Sequence, residues 1–123
     1  EVARHDPSVQ NTRRFVAEPA TVAGTQLAAG DTILVLLGSA HRDPALNPMP
    51  DRFDLARTER RLLGFGHGVH ACPGQALAQA VAAAGLQALR DTRLRTGQAL
   101  PAQWRYRPSA NGRMPVFCAP AQG

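Results

Sequence analysis

Lysine is absent from this 123-residue sequence, and all fourteen of its basic residues are arginine. Aromatic residues make up only 5% of the chain, and its apolar runs, such as Thr32–Gly38, are too short to cross a membrane. Scarce aromatics and dispersed arginines argue against nucleic-acid binding, in spite of a net charge of +5. The composition, 44% hydrophobic and 19% charged, is typical of a folded globular chain.

The opening residues lack the basic-then-apolar pattern of a secretory leader, so we expect a cytoplasmic protein that has no membrane association. The sequence begins at Glu1 without a methionine, and we expect further polypeptide upstream. Two cysteines, Cys72 and Cys118, are a weak indication of an oxidising compartment. Cys118 is expected to be a small buried apolar residue near a C-terminal strand.

Charge is unevenly distributed along the chain. Residues 1–59 carry six arginines against eight acidic residues, whereas residues 60–123 carry eight arginines against Asp91 alone. A basic surface of this kind suits an acidic protein partner.

The most informative stretch is Phe65–Gly74 (FGHGVHACPG), in which three glycines surround one cysteine. Glycine permits close backbone approach and positive φ, so this loop suits the presentation of one thiolate to a large, flat ligand. Pro73 stands where a helix would begin, and Gln75–Leu89 predicts a helix whose N-terminus points at the sulfur. Apolar residues lie nearly all round this helix, which predicts that it is buried.

Two other interpretations of this loop stay open. His67, His70 and Cys72 have the spacing of a partial zinc site, although Cys118 and His41 are remote in sequence as a fourth ligand. A plain glycine-rich turn with an inert cysteine is the second alternative. Metal content would separate these two interpretations, because a zinc site holds zinc and an inert turn holds no metal.

The first half of the chain predicts short elements. Glu1 and Arg4 lie three residues apart on one helical face, and Pro7 predicts that this helix ends near Asp6. Segments 21–27 and 32–36 predict two strands joined by a turn.

The connector and the C-terminal region follow different patterns. Pro44–Asp54 contains three prolines and predicts an ordered, irregular connector. Segments 104–106 and 114–117 predict two short strands around an Asn111-Gly112 turn. We find no internal repeat and no linker, and therefore predict one structural unit.

Phe65–Gly74, spelled F-G-x-G-x-H-x-C-x-G, resembles the haem-ligand loop of the cytochrome P450 family. Glu1–Arg4 resembles the E-x-x-R motif at the end of the family's K helix, and Pro50–Phe53 matches the P-x-R-F element of its meander. Val9–Arg14 (VQNTRR), with the hairpin after it, is similar to bacterial members. His41 departs from the family's spelling, which has Asn at that place.

The resemblance implies that residues 1–123 are the C-terminal, haem-ligand portion of a bacterial cytochrome P450 domain. They would run from the K-helix motif through the cysteine loop to the C-terminus, with the N-terminal majority of the domain absent. The fold class implied is α+β, as one part of a mainly-α fold.

The resemblance also implies the functional residues. Cys72 would be the catalytic residue and the axial thiolate ligand of the iron of haem b. Further cofactor contacts are implied for Arg14, Phe65, Gly66, His70 and Gly74.

Two other groups of residues receive roles in the same way. The resemblance implies a structural triad in which the Glu1 carboxylate lies between the guanidiniums of Arg4 and Arg52. It implies that Val9, Asn11 and Thr12 face the substrate.

The implied activity is haem-thiolate monooxygenation of a small organic substrate, with O2 and two electrons from a ferredoxin- or flavodoxin-type donor at the basic face of the cysteine loop. In the family, an acid–alcohol pair on a helix before E-x-x-R handles oxygen. We therefore expect these 123 residues alone to be inactive. A non-catalytic haem-binding remnant and a small zinc-binding module stay as alternatives.

Overall fold

A computed structural model describes residues 1–99 and 103–118. Their contacts divide them between two compact units. The first unit is formed by Glu1–Gly64 and Pro108–Arg113. The second is formed by the described residues of 65–107 and of 114–123. The cysteine loop belongs to the second unit.

The first unit opens with α1 (Val2–His5), a single helical turn that ends at Asp6 as the following proline predicts. Strand β1 (Asn11–Phe15) pairs antiparallel with β4 (Thr32–Leu36). A second short helix, α2 (Leu37–Ala40), follows β4 directly.

The segment 21–27, predicted as one strand, is instead a hairpin. Strands β2 (Ala20–Val22) and β3 (Thr25–Leu27) pair with each other across Ala23 and Gly24. Both of these residues have positive φ, at 47° and 80°, which is the geometry of a tight two-residue hairpin turn. The prediction was wrong because a single glycine inside an extended pattern does not by itself reveal the turn.

The buried centre of the first unit is polar. Arg4, His41 and Asn47 are completely buried, and the buried apolar residues among those described are Pro7 and Leu37. The connector 44–54 forms turns and bends without regular structure, as its prolines predict. Its order therefore depends on hydrogen bonds to these buried polar groups rather than on an apolar core.

The second unit contains a short 3-10 turn (Gly68–His70), the long helix α3 (Gln75–Thr96), and an antiparallel ribbon of β5 (Trp104–Tyr106) and β6 (Pro115–Phe117). Helix α3 continues beyond the predicted end at Leu89, because the arginines and other polar residues that follow are compatible with a helix. It ends where Gly97 adopts the left-handed conformation and its N–H is bonded to the carbonyl of Arg93 at 2.8 Å.

Helix α3 is not buried in this chain, contrary to the expectation from its composition. No residue of α3 is classed as buried, and Leu77 and Leu94 are 69% and 78% exposed. One helix and one two-stranded ribbon do not provide a second layer that could cover the apolar part of α3. Among the described residues, no helix has the length and apolar character that crossing a bilayer requires.

Candidate functional site: the cysteine loop and the Glu1 cluster

The backbone of the cysteine loop is fixed by its own hydrogen bonds. The N–H of Cys72 donates to the carbonyl of Phe65 at 2.6 Å. Gly66 has a φ of +75°, and a Cβ there would lie 2.2 Å from the carbonyl oxygen of His70. No side chain fits at this position, so the loop needs glycine to close on itself. Phe65 itself is half-buried.

Cys72 lies at the N-terminal end of α3, three residues before its first helical residue. The carbonyl of Cys72 accepts the N–H of Gln75 at 3.3 Å, and a Cβ on Gly74 would lie 3.8 Å from the Cys72 sulfur. No side chain of the described residues caps the helix. The start of α3, where the positive end of the helix dipole lies, is therefore close to Cys72 in the chain.

The donor set of this loop suits a macrocycle better than a bare metal ion. Cys72 is exposed, so its sulfur is accessible from outside the loop. Within residues 1–99 and 103–118, no three His, Cys, Asp or Glu side chains converge in a way that would hold a metal ion. The geometry therefore gives no support to zinc ligation by His67, His70 and Cys72. A haem would bring its own nitrogen ligands to the iron, so a single cysteine thiolate could supply the ligand from the protein.

The first unit has a different polar centre, built round the carboxylate of Glu1. The guanidinium of Arg4 holds this carboxylate with two hydrogen bonds, Nε to Oε2 at 2.9 Å and Nη2 to Oε1 at 2.7 Å. Both side chains are completely buried. The hydrogen bonds from Arg4 lower the pKa of Glu1 to about 2, so the pair is ionic at neutral pH.

Arg57, not Arg52, brings the second guanidinium to Glu1. The Nε of Arg57 lies 3.3 Å from Glu1 Oε1, and the Arg57 side chain is only 8% exposed. The side chain of Arg52 instead points outward and is 63% exposed, with its Nη2 3.7 Å from Asp54 Oδ2. Arg52 contributes to the cluster only through its backbone carbonyl, which accepts hydrogen bonds from Arg4 and Arg57. The predicted triad is corrected in its third member, because the connector turns the Arg52 carbonyl inward and so its side chain outward.

Two buried side chains join this centre to the polypeptide that leads into the cysteine loop. His41 accepts the N–H of Leu63 at its Nε2, at 2.8 Å, and Asn47 accepts the N–H of Arg61 at its Oδ1, at 2.9 Å. The carbonyl of His41 also accepts a hydrogen bond from Arg4 at 3.3 Å. The local sequence gives no signal for Asn47, and it marks His41 only by the departure from Asn.

The residues expected to contact cofactor or substrate from the first part of the chain lie on β1 or just before it. Arg14 is exposed, and its guanidinium donates to Thr12 Oγ1 at 2.9 Å. Asn11 and Thr12 line a cleft of about 430 Å³ together with the loop at Ala110 and Asn111.

Val9 is not among the residues that line this cleft, although it pairs with the same loop. It forms an isolated β-bridge with Gly112. The N–H of the next residue, Gln10, donates to the carbonyl of Asn111 at 2.7 Å. These bonds hold the 108–113 loop beside β1 within the first unit.

A comparison with known families decides the identity. The family model described as Cytochrome P450 matches residues 1–89, which include both the Glu1–Arg4 pair and the Cys72 loop. This chain belongs to the cytochrome P450 family. The family binds haem through a cysteine thiolate, and the mixed helices and strands described above are part of its fold.

Curated relatives and solved structures agree. The cytochrome P450 monooxygenase PikC of Streptomyces venezuelae is 44% identical over 92 residues, which are 74% of this chain and 22% of PikC. The biotin biosynthesis cytochrome P450 of Bacillus subtilis is 35% identical over 108 residues, 88% of this chain and 27% of that protein. The crystal structure of CYP109E1 from Bacillus megaterium in complex with testosterone matches with a TM-score of 0.81 at 31% identity, over 94% of this chain and 32% of that chain.

This chain therefore spans 22% and 27% of the length of these two curated cytochromes P450. The part it spans contains the cysteine loop and the buried carboxylate cluster.

Proposed function

We propose that Cys72 is the axial ligand of haem b, and that the protein containing this chain is a haem-thiolate monooxygenase of a small organic substrate. The observation that carries the proposal is the position of Cys72. Cys72 is exposed, lies three residues before the first residue of α3, and belongs to no cluster of three metal-ligating side chains among the described residues. When bound, haem supplies the activation of O2, and a cysteine thiolate ligand favours O–O cleavage.

The chain's own residues act by holding the sulfur. The dipole of α3 stabilises the negative charge on Cys72, and the hydrogen bond between the Cys72 amide and the Phe65 carbonyl fixes the backbone that carries it. Gly66 and Gly74 keep side chains away from this turn, which leaves room for a flat ring. Phe65 is proposed to shield the sulfur side of that ring.

Arg14 and His70 are proposed to bind the propionates of haem. Both side chains are exposed, and guanidinium and imidazole N–H groups can donate hydrogen bonds to carboxylates. Asn11 and Thr12, with Val9 close by in sequence, are proposed to face the substrate. Their support is the cleft that Asn11 and Thr12 share with the 108–113 loop.

An acidic electron donor of the ferredoxin or flavodoxin type is proposed to bind the second unit. The described residues of this unit include five arginines against the single acid Asp91. Such a charge imbalance accelerates association with an acidic protein and makes it sensitive to salt. We further propose that turnover requires polypeptide outside these 123 residues, since the chain spans 22% and 27% of two curated relatives.

The proposal is tested by the absorption spectrum of the reduced, carbon monoxide-bound form of the longest natural polypeptide that contains this chain, loaded with haem. A strongly red-shifted Soret band is expected, and Cys72→Ser should abolish it. Cys118→Ser is the matched control, because Cys118 is the other free cysteine and lies just after β6. A histidine-type carbonyl spectrum in the unchanged protein, or a red-shifted band that survives Cys72→Ser, would contradict the assignment.

A second candidate is haem binding without turnover. The two are separated by product formation with a reducing donor present, once the red-shifted spectrum has been established.

A further inference from the structure

His41 is a completely buried histidine to which the proposed function gives no role. Its Nε2 accepts the backbone N–H of Leu63 at 2.8 Å. Its Nδ1 is also buried and has no hydrogen-bond partner among the residues that the structure describes. One ring nitrogen is therefore in use as an acceptor, and the other contributes no bond.

This geometry fixes the protonation state of the ring. A nitrogen that accepts a hydrogen bond carries no proton, so the proton of neutral His41 is on Nδ1. The next proton can bind only at Nε2, the atom that holds Leu63. Protonation of His41 and its bond to Leu63 therefore exclude each other.

The surroundings of His41 favour the neutral form. Burial and the positive charge of Arg4 lower the pKa of His41. Arg4 faces His41 from α1, where its guanidinium donates to the His41 carbonyl and also forms an ion pair with Glu1. From the connector, His41 is approached by the uncharged amide of Asn47.

The segment 61–64 approaches His41 through the backbone of Leu63 and Gly64. It contributes the N–H of Leu63, and a Cβ on Gly64 would lie 3.7 Å from His41 Cε1. No carboxylate of the described residues offsets the charge of a protonated His41 directly.

Leu63 lies immediately before the cysteine loop in the chain. Two residues further on, the carbonyl of Phe65 accepts the amide of Cys72. Two side-chain acceptors hold the approach to this point, namely Asn47 at Arg61 and His41 at Leu63. Only one of the two acceptors can be titrated.

We propose that His41 is a positioning residue for the segment that enters the cysteine loop, and that uptake of one proton by its ring releases Leu63 from it. The consequence for the ligand loop rests on the proposed function, whereas the release of Leu63 does not. Acid would then loosen the approach to Cys72 through His41 while leaving the Asn47 contact in place.

The first test is amide hydrogen exchange in the natural polypeptide, measured residue by residue between pH 7.5 and pH 5. The Arg61 amide is an internal control, because it is two residues away and its acceptor does not titrate. As the pH is lowered beyond about 6.5, the protection of the Leu63 amide relative to that of the Arg61 amide should decrease. Uptake of one proton allows a decrease of up to about tenfold per pH unit. A ratio that stays constant over this range would overturn the proposal, and no variant is needed to obtain it.

The second test uses His41→Gln, whose amide oxygen takes the place of Nε2 and does not titrate. His5→Gln is the matched control, since it removes another histidine of the first unit that holds no part of segment 61–64. His41→Gln should keep the Leu63 to Arg61 ratio constant with pH, whereas His5→Gln should behave as the unchanged protein. The same pH dependence in His41→Gln as in the unchanged protein would also overturn the proposal.

The effect on the ligand loop is read from the rate at which the red-shifted carbonyl band is lost. In the unchanged protein and in His5→Gln this rate should rise as the pH falls below about 6.5, and in His41→Gln it should rise less steeply. Equal pH dependence in all three would mean that His41 does not position the loop. Absence of the red-shifted band at pH 7.5 would instead contradict the ligand role of Cys72, and the exchange test would still decide the role of His41.

Discussion

Replacement of Arg57 by Gln is the perturbation that best tests the buried carboxylate cluster. Arg57 donates to Glu1 at 3.3 Å and to the carbonyls of Pro48, Met49 and Arg52. All four acceptors lie within the first unit, and three of them belong to the connector. The variant therefore removes a buried charge together with the bonds that hold the connector in its irregular path.

The expected cost follows from the burial of the partners. A hydrogen bond to a charged group contributes about 1.5–3 kcal/mol, and removing one partner of a buried ion pair costs about 3–5 kcal/mol. Glu1 keeps both bonds from Arg4 in the variant, so the lower part of the range applies. We expect Arg57→Gln to lower the free energy of unfolding by about 3 kcal/mol. Arg52→Gln removes an exposed ion pair to Asp54 and should cost less than about 0.5 kcal/mol.

The assay is urea unfolding followed by circular dichroism, with both variants made in the longest natural polypeptide that contains this chain. Arg52→Gln is the matched control because the same substitution is made five residues away, within the connector to which Arg57 donates hydrogen bonds. If Arg52→Gln were as destabilising as Arg57→Gln, or if Arg57→Gln were neutral, the reassignment of the triad's third member would be refuted.

Two further predictions concern the loop and the carboxylate. Gly66→Ala should lower the free energy of unfolding by more than about 2 kcal/mol and abolish the red-shifted carbonyl band, because the new Cβ would collide with the His70 carbonyl. Gly68→Ala has open space around the new Cβ and only the strain of φ +58°, so it should lower the free energy of unfolding by about 1–2 kcal/mol. Thermal unfolding and the carbonyl spectrum check both, and equal effects would contradict the steric argument. Stability should also fall as the pH drops from about 4.5 toward 2. In this range Glu1 is protonated in the unfolded chain but stays ionised in the folded chain, where its pKa is about 2. Urea unfolding at several pH values checks this, and Glu1→Gln should remove that part of the pH dependence; an unchanged pH profile would be inconsistent with it.

Patterns that act over a few residues were predicted well. The end of α1 before Pro7 and the irregular connector follow from the restricted backbone of proline. The start of α3 at Gln75 follows from Pro73 and the Ala- and Leu-rich run after it. The end of α3 was not predicted, because the arginine, threonine and aspartate residues after Leu89 are all tolerated in a helix. The helix ends only at Gly97, which adopts the left-handed conformation.

Features that join distant segments were predicted less well. The strand pairs are β1 with β4 and β2 with β3. The alternation of apolar and polar residues along a segment indicates a strand, but it does not indicate which other strand is its partner. The burial of α3 was expected from its composition, yet burial requires a covering layer, and this chain exposes the helix.

The sequence by itself determined the cysteine loop, since glycine, histidine, cysteine and proline at fixed spacing constrain a turn whose hydrogen bonds span only a few residues. It also determined the Glu1–Arg4 pair, because residues three apart on a helix are neighbours. Only the tertiary structure decided which other groups complete that cluster. Arg57 lies 56 residues from Glu1 in the chain, and the path of the irregular connector decides which of several arginines reaches the carboxylate. The use of His41 as an acceptor was decided in the same way, since a buried polar group takes whichever partner the fold brings within reach.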